Sequence, residues 1–374
     1  MNRTAVVLVL ILLLVVAAGV GFWWYTTPLP RLTVTTWPGA YGRAQAIAML
    51  HPYGEEKRVN VRIAQYDGGL DHLREEVVAH AYDWDVIDFE LDDATAACRA
   101  DLLEPIDPTS LPRGADGMPA SRDFVKGAIG PCWVGNAVFS QVIAYSKGRF
   151  SERAPKTLAD FFDTKDFPGP RALRRSSAKF NLEMALLADG VRPSMVYSLL
   201  STNAGVRRAL AKLATIKDSL VWWTQTSEPP DMLADRRAAL ATVLNGDAYD
   251  AKNRSENIDI IWDRQLYELD VFGVPRGDQR KQRAMDFIRF ATQSSPLAHA
   301  AEWVPYGPAR RSSLKLVGKN PEFGIAMEPY LPTAPENFAT AFAVDDAWWL
   351  EHGPVIDAEW QAWLRSLPSA SHPH

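Results

Sequence analysis

The order of strand and helix patterns in residues 31–92 constrains the fold more than any other feature of this chain. Three apolar strand patterns are separated by two stretches with helical spacing, and the strand patterns cover residues 31–37, 59–64 and 85–92. This order predicts an α/β fold with a parallel sheet covered by helices. Ligands of such sheets bind beyond the carboxyl ends of the strands. The residues near two of these ends are Trp37, Tyr41, Glu90 and Asp92.

The length and the later patterns predict two lobes. The chain has 374 residues, which is more than one hydrophobic core usually holds. A second α/β series begins near residue 143, and an extended stretch near residue 272 leads the chain back. We therefore expect a ligand cleft between two lobes and a hinge at the two crossings. The expected parts are residues 31–142 with 273–335 (lobe 1), residues 143–272 (lobe 2), and residues 336–374 as C-terminal helices packing on the lobes.

Two acidic residues share one face of the returning stretch. Residues 258–262 are predicted to form one strand, and residues 266–274 a second strand after a short polar turn. Alternation in the second strand places Glu268 and Asp270 on the same face. Burying two carboxylates on a mostly apolar strand is costly without a partner. They therefore lie in solvent at a strand end or face a cation, and the same alternatives hold for Glu90.

Residues 1–30 have the pattern of a transmembrane helix or a signal peptide. The run from residue 5 to residue 24 is uncharged, and a helix of 20 residues reaches about 30 Å, enough to cross a bilayer. Arg3 predicts that the N-terminus stays inside and that the rest of the chain is exported. Small residues at 16–18 would allow cleavage, whereas the aromatic residues 23–25 favour an uncleaved anchor in the inner membrane. Either way, residues from about 31 onward are expected in the periplasm.

Composition and motifs exclude several classes of function. The chain is 47% hydrophobic and 23% charged with a net charge of −5, so it lacks the basic footprint of a nucleic-acid binder. It contains no nucleophile elbow, phosphate-binding loop or zinc-protease motif, and its seven histidines are scattered. Adjacent acids on one strand are not the facing pair that glycoside hydrolysis needs. We therefore expect no enzyme activity, no cofactor and no metal site.

Aromatic residues are numerous, and several follow predicted strand ends. The chain has 13 Trp, 11 Tyr and 15 Phe, and those at strand ends or in loops include Trp37, Tyr41, Trp222, Trp223 and Tyr306. Aromatic faces beside carboxylates suit a substituted ammonium group through cation–π contact, and packing in the core is the alternative for each ring. Together with the acidic residues, these rings predict a site for a small amine.

The two cysteines, Cys98 and Cys132, allow one disulfide bond in an exported protein. Two buried free thiols are the alternative, because spacing alone does not establish a pairing. The sequence pattern by itself leaves both possibilities open.

Motifs along most of the chain match those of one known family. Residues 37–41 (WPGAY) with Ala44-Gln45 match its W-G-G-x-Y…A-Q opening, and residues 84–90 (WDVIDFE) match its W-D-V-V-D-L-E segment. Further matches are residues 221–224 (VWWT), 229–233 (PPDML), 245–246 (NG), 261–270 (IWDRQLYELD), 304–308 (VPYGP) and 331–337 (LPTAPEN). From about residue 32 to residue 365, the chain resembles periplasmic solute-binding proteins of polyamine-type (spermidine/putrescine-like) ABC importers, extracellular solute-binding protein family 1.

The resemblance implies a type II-like periplasmic binding protein fold that closes over a small amine-bearing solute and presents it to a membrane permease. It implies that Asp270 holds a ligand amine and that Glu90 faces the ligand. Some members carry a cysteine pair at the positions of Cys98 and Cys132, which favours a disulfide. The candidate ligand-binding residues are Trp37, Tyr41, Glu90, Asp92, Trp222, Glu268, Asp270 and Tyr306.

Two departures from the family pattern affect the expected ligand. Leu244 stands where many members have Trp, and residues 175–179 (RSSAK) replace acids that hold the second amine in polyamine binders. A smaller amine, an amino acid-like zwitterion such as 4-aminobutyrate, or an opine fits a site with Asp270 at one end and a basic group at the other. The expected function is therefore capture of a small amine, polyamine or amino acid-like, for an ABC permease. A membrane-tethered sensor and a small-substrate hydrolase are the alternatives.

Overall fold

The two largest hydrophobic cores of the described residues lie in different parts of the molecule, and two long strands connect them. The computed structural model describes residues 28–150, 152–255 and 257–367. The first core takes its residues from the ranges 32–138 and 267–309. The second takes them from the ranges 143–240 and 342–364, together with Ile261 and Leu266. The chain therefore passes from one core to the other inside two strands, at residues 138–143 and at residues 266–267.

Ten strands lie in the described ranges. They are β1 (Arg31–Thr36), β2 (Asn60–Gln65), β3 (Ile87–Glu90), β4 (Val134–Ser146), β5 (Arg171–Arg174), β6 (Leu220–Trp223), β7 (Leu240–Leu244), β8 (Ile258–Gly273), β9 (Gly307–Pro308) and β10 (Phe342–Ala343). Strands β1 and β2 pair in parallel, and a parallel bridge from Val34 to Val86 continues this order toward β3. In the other lobe, β5 pairs in parallel with both β6 and β7. The predicted parallel arrangement is confirmed in both lobes.

Helices follow the strands and cover the sheets. They are α1 (Ala40–Gln45), a π-helical segment (Ala46–Leu50), α2 (His51–Lys57), α3 (Asp71–Ala79), α4 (Leu91–Arg99), α5 (Ala120–Asp123), α6 (Leu158–Phe162), α7 (Asn181–Ala188), α8 (Val196–Leu200), α9 (Asn203–Ala214), α10 (Glu228–Ala234), α11 (Asn245–Ser255), α12 (Lys281–Ala291), α13 (Ser294–Trp303), α14 (Arg311–Leu314), α15 (Pro335–Phe338) and α16 (Asp346–Ser366). Side-chain caps determine where several helices begin. Thr157 forms a capping box before α6, and the side chains of Thr202 and Asp345 cap the N-termini of α9 and α16.

Strand β8 is continuous, so the expectation of two strands separated by a turn is wrong. Its ladder with β4 shifts register between the partners Leu266 and Ile261, and the residues between them form a bulge in which Arg264 has a φ of 56°. The polar side chains that suggested a turn anchor this bulge instead. The Gln265 amide donates to the carbonyls of Pro332 at 2.8 Å and Asn337 at 2.7 Å. The bulge lies next to the point where the chain passes from one core to the other.

The C-terminal helix α16 packs on the second core. Trp360 and Trp349 on this helix are buried, with Trp360 fully inaccessible to solvent. Residues 368–374 of the predicted C-terminal part lie outside the described residues. Helix α16 therefore belongs structurally to the lobe formed by residues 143–240.

The predicted membrane or signal segment falls almost entirely outside the described residues. The description begins at Pro28, and the apolar run at residues 5–24 precedes it. Within the described ranges, no helix is both long enough and apolar enough to cross a membrane.

The predicted disulfide between Cys98 and Cys132 is confirmed. Cys98 lies in the last turn of α4, and Cys132 lies two positions before the first residue of β4. The bond therefore joins the helix that begins directly after Glu90 to the entrance of a long connecting strand.

Candidate functional site

Carboxylates from two adjacent strands meet at the carboxyl end of β3. The antiparallel pairing of β3 with β8 places Glu90 opposite Asp270. Asp88 lies two residues before Glu90, and Glu268 lies two residues before Asp270, so each pair shares a face of its strand. The sequence prediction that Glu268 and Asp270 share a face is consistent with their burial, 8% and 4% exposed. The result is a row of acids at the junction of the lobes.

Asp270 is buried and Glu90 is half-buried, and neither has a basic partner among the described residues. No lysine or arginine of the described ranges forms an ion pair with either carboxylate, although Lys179 lies close enough to act on Glu90 electrostatically. Burial, followed by repulsion from Asp92, raises the pKa of Glu90 to about 7. Burial, followed by repulsion from Asp88 and Glu90, raises the pKa of Asp270 well above its ordinary range. Uncompensated charge of this kind is costly, so the pair favours an incoming cation.

Asp88 is held in place by a hydrogen-bonded network within the first lobe. The Asn136 amide donates to Asp88 Oδ1 at 2.6 Å, and the Gln45 amide donates to Asp88 Oδ2 at 2.9 Å. The Tyr41 hydroxyl donates to Asn136 Oδ1 at 2.7 Å. Burial raises the pKa of Asp88 to about 7, and these hydrogen bonds partly offset the rise. Because the network joins α1, β3 and β4, it fixes the Tyr41 ring beside the acids.

Aromatic rings stand next to the unpaired acids. The ring centroids of Tyr41 and Tyr306 are 5.3 Å apart, and that of Phe139 is 6.1 Å from Tyr306. Burial raises the pKa of Tyr306, and the negative charge of Asp270 adds to this rise. A side chain at Gly246, at the start of α11, would approach the Tyr306 ring to 3.1 Å. The second lobe therefore contacts this ring directly.

Trp37 lies at the carboxyl end of β1, as the sequence predicts. Its ring packs edge-on against Tyr66 with centroids 5.0 Å apart. Its indole N–H is shielded from solvent and has no hydrogen-bond acceptor among the described residues. Trp37 thus offers an unused donor at the same edge of the first lobe as Glu90.

Lys179 forms ion pairs with three further acids of this region, Glu268, Asp346 and Asp92. Its ammonium group contacts Glu268, lies 2.9 Å from Asp346 Oδ1 and lies 3.7 Å from Asp92 Oδ2. Burial of the lysine disfavours its charged form, but attraction by these carboxylates outweighs burial and raises the pKa of Lys179 well above its ordinary value. Two predicted ligand residues, Glu268 and Asp92, are therefore engaged by a lysine of the chain itself.

Trp222 is not brought together with the other predicted residues. Its ring packs against Trp360 and Trp363 of α16, with centroid distances of 5.9 and 6.3 Å, and the Arg175 guanidinium lies 5.7 Å above it. Alternation on β6 sends Trp222 to the face that α16 covers and its neighbour Trp223 to the other face. The expectation that Trp222 contacts a ligand has no support in this packing.

Arg174 lies at the carboxyl end of β5 in the second lobe. Its Nε donates to Ser176 Oγ at 3.1 Å, and its guanidinium lies 5.9 Å from the Trp223 ring. No carboxylate of the described ranges pairs with it, and its side chain is partly exposed. A guanidinium group at this edge can donate hydrogen bonds to the carboxylate of a solute whose amine faces the other lobe.

Sequence reasoning did not select four residues of this region: Asp88, Asn136, Lys179 and Asp346. The alternation in β3 pointed to Asp88, and the basic segment 175–179 pointed to Lys179 without distinguishing it from Arg175. Asn136 and Asp346 come from a buried strand and a helix start, and their sequence surroundings gave no signal of a site.

Comparison with known proteins identifies the family. A family model for bacterial extracellular solute-binding proteins matches residues 48–327. The chain belongs to this family. This solute-binding protein is 34% identical over 332 residues to the gamma-aminobutyric acid-binding protein of Pseudomonas aeruginosa, a match that covers 89% of this chain and 90% of that protein. Proteins of this family are substrate-binding components of ABC transporters rather than enzymes, as the sequence predicts.

Solved structures of similar proteins confirm the two-lobed α/β fold of this solute-binding protein. An ABC transporter substrate-binding protein from Bradyrhizobium japonicum is similar with a TM-score of 0.76 at 25% identity, covering 90% of this chain and 99% of that one. The Atu4243-GABA receptor is similar with a TM-score of 0.73 at 28% identity, covering 92% and 99%. The spermidine/putrescine-binding protein PotD of Streptococcus pneumoniae, at 14% identity and a TM-score of 0.67 with 89% and 99% covered, shares the fold.

Proposed function

We propose that this protein captures a small zwitterion of the 4-aminobutyrate class, with one amine and one carboxylate, in the periplasm. The observation that carries the proposal is the Glu90–Asp270 pair, in which a half-buried and a buried carboxylate face each other on adjacent strands without a basic partner among the described residues. A ligand ammonium would neutralise this pair, and the Tyr41 and Tyr306 rings would contact the adjoining methylene groups.

The acidic end of the ligand would face the second lobe. Arg174 is a partly exposed basic residue without an ion pair at the carboxyl end of β5, and a bidentate contact with a ligand carboxylate suits its planar guanidinium group. A ligand that binds one lobe through its amine and the other through its carboxylate would stabilise the closed form relative to the open form. We propose that the bulge in β8 and the crossing in β4 act as the hinge. The expected return at residue 272 moves to residues 266–267, because Tyr267, Leu269 and Phe272 pack in the first core.

The relatives support this class of ligand over a polyamine. The Pseudomonas aeruginosa relative and the Atu4243 receptor are both named for binding GABA. The similarity to a spermidine/putrescine-binding protein is at 14% identity, which speaks for the fold alone. The family also supports delivery of the captured solute to an ABC permease.

A ligand panel tests the proposed function. The purified protein is heated with 4-aminobutyrate, an opine, 1,4-diaminobutane, spermidine or a neutral sugar, and the melting temperature is recorded for each. We expect 4-aminobutyrate to raise it most. If no amine raises the melting temperature, the proposal is wrong. Isothermal titration calorimetry should then give one ligand per chain without turnover, which separates binding from hydrolysis.

Arg174→Gln should weaken binding of 4-aminobutyrate by about 2 kcal/mol, or roughly thirtyfold, because it removes a charged partner of the carboxylate. Binding of 1-aminobutane, which has no carboxylate, should change little. Arg175→Gln is the matched control, since Arg175 stacks on Trp222 outside the acid row. Equal losses for both ligands, or equal effects of both substitutions, would exclude Arg174 as the carboxylate partner. Calorimetry measures all six affinities, those of the wild type and the two variants for the two ligands.

Binding should depend on pH because Glu90 and Asp88 each have a pKa of about 7. A ligand ammonium must displace any proton on Glu90, and neither end group of 4-aminobutyrate titrates in this range. We expect the ionisation of Glu90 alone to lower the affinity about tenfold between pH 8 and pH 6, and Asp270, whose pKa is also raised, should add to this fall. The empty protein should change in the opposite direction, losing stability as the pH rises through about 7, because raised carboxyl pKa values favour the protonated folded state. A flat affinity profile from pH 6 to pH 8 would contradict this assignment, and Glu90→Gln should make the profile shallower.

A further inference from the structure

We propose that Lys179 is a built-in ammonium group that fills a second cation position in the cleft and so selects ligands with one amine against diamines. This inference rests on the proposed function, because it assumes that the Glu90–Asp270 pair holds the first ligand amine. It assigns to Lys179 the effect on specificity that the sequence pattern attributed to segment 175–179 as a whole, without distinguishing its two basic residues.

The spacing of the acids matches the spacing of the amines in a short diamine. Glu268 and Asp270 lie on one face of β8, separated by two residues or about 6.6 Å along the strand. An extended 1,4-diaminobutane holds its two nitrogens about 6 Å apart. A diamine with one ammonium at Asp270 would therefore bring its second ammonium to Glu268. The ammonium group of Lys179 already contacts Glu268 at that position.

The contacts of Lys179 are those that a ligand ammonium would make. Its Nζ contacts Glu268 and lies 2.9 Å from Asp346 Oδ1, with Asp92 Oδ2 at 3.7 Å. The lysine side chain is 15% exposed, and the side chains of Glu268 and Asp346 are 8% and 2% exposed. A second ligand ammonium would have to displace Nζ from these carboxylates or lie against a like charge in a partly desolvated place. Either event disfavours a diamine.

Lys179 comes from a different part of the chain than its partners, so its effect on specificity is separable from the acid row. It lies in the segment between β5 and α7, whereas Glu268 belongs to β8, Asp346 begins α16, and Asp92 lies in the first turn of α4. Removal of the lysine leaves the acids on their own elements. The position left by the lysine then has what a second ligand amine needs: buried carboxylates, at a distance from Asp270 that matches the separation of the two amines.

The test compares ligand affinities of the wild-type protein and Lys179→Met by calorimetry, with 4-aminobutyrate, 1,4-diaminobutane and 1-aminobutane as ligands. We expect Lys179→Met to raise the affinity for 1,4-diaminobutane relative to 1-aminobutane by about a hundredfold, since an opposite charge at this distance shifts such equilibria by roughly one to three powers of ten. Lys179→Arg is the matched control. It keeps the cation and should still reject the diamine.

Lys179→Met leaves acids without their cation, so a second variant guards against misfolding. In Lys179→Met/Asp346→Asn, one acid of the cluster is neutral and Glu268 remains to hold the second amine. This variant should also gain diamine binding, and 1,4-diaminobutane should raise its melting temperature more than 1-aminobutane does.

The outcomes separate this inference from the proposed function. If the wild type binds 4-aminobutyrate and neither lysine-free variant gains diamine binding, the role of Lys179 is overturned and the proposed function stands. If the wild type already binds 1,4-diaminobutane as tightly as the variants do, the inference is also overturned. If the wild type binds none of the amines, the proposed function fails, and a gain of diamine binding in the variants alone would still support a cation position filled by Lys179.

Discussion

Asp270→Asn should weaken amine binding about a hundredfold while making the empty protein more stable. The substitution removes one carboxylate of the unpaired Glu90–Asp270 pair, and loss of a desolvated charge partner costs a ligand ammonium about 3 kcal/mol, roughly a hundredfold in affinity. In the empty protein, burial and the charges of Asp88 and Glu90 raise the pKa of Asp270, so the ionised group opposes folding. A neutral amide removes that repulsion. Thermal unfolding at pH 8, with and without 4-aminobutyrate, measures both effects.

The opposite signs of the two effects make the result easy to interpret. A misfolded variant would lose binding and stability together, whereas a variant that lacks a functional charge loses binding and gains stability. Asp189→Asn is the matched control, because Asp189 pairs with Arg208 outside the acid row. It should leave the ligand response unchanged. If Asp270→Asn binds 4-aminobutyrate as the wild type does, Asp270 does not hold the amine.

Removal of the disulfide should destabilise the protein by about 3 to 4 kcal/mol on the chain-entropy model, because the bond closes a long loop. Cys98 and Cys132 are separated by 34 positions in the sequence. The double substitution Cys98→Ala/Cys132→Ala should therefore lower the urea concentration at which half of the protein unfolds. The wild type treated with dithiothreitol should behave like the double variant.

The double variant also tests whether the disulfide supports the site. Helix α4 begins directly after Glu90 and ends near Cys98, so loss of the bond frees the far end of this helix. We expect the affinity for the amine to fall less than the stability does, since the pairing of β3 with β8 still positions Glu90. Dithiothreitol should have no effect on the double variant. A wild type whose unfolding is unchanged by reduction would contradict the expected stabilisation.

Sequence periodicity predicted the parts of the site that depend on one strand at a time. Alternation placed Glu268 and Asp270 on one face of β8, and the strand–helix order placed Trp37, Tyr41 and Glu90 at strand ends. Such patterns describe which residues of one element face the same way. They do not give the partner that an acid finds in another part of the chain.

Tertiary contacts decide which of these acids have a basic partner, and the sequence pattern does not reveal those contacts. Lys179 and Asp346 reach Glu268 from distant parts of the chain, and the spacing of residues does not encode that meeting. The same limit explains why the sequence did not show which of the two rings, Trp222 or Trp223, is covered by another element. Adjacent positions on a strand face opposite sides, and only the position of α16 determines which ring it covers.

Helix α16 has a consequence for the order of biosynthesis. It is the last helix of the described chain, yet it supplies Trp360 to the second core and Asp346 to the cation of Lys179. A chain that has been synthesised only as far as β10 already contains Glu90 and Asp270, but it lacks helix α16, which packs on the second core. Lobe 1 can therefore complete its core during synthesis or translocation, whereas lobe 2 cannot complete its core until α16 has emerged.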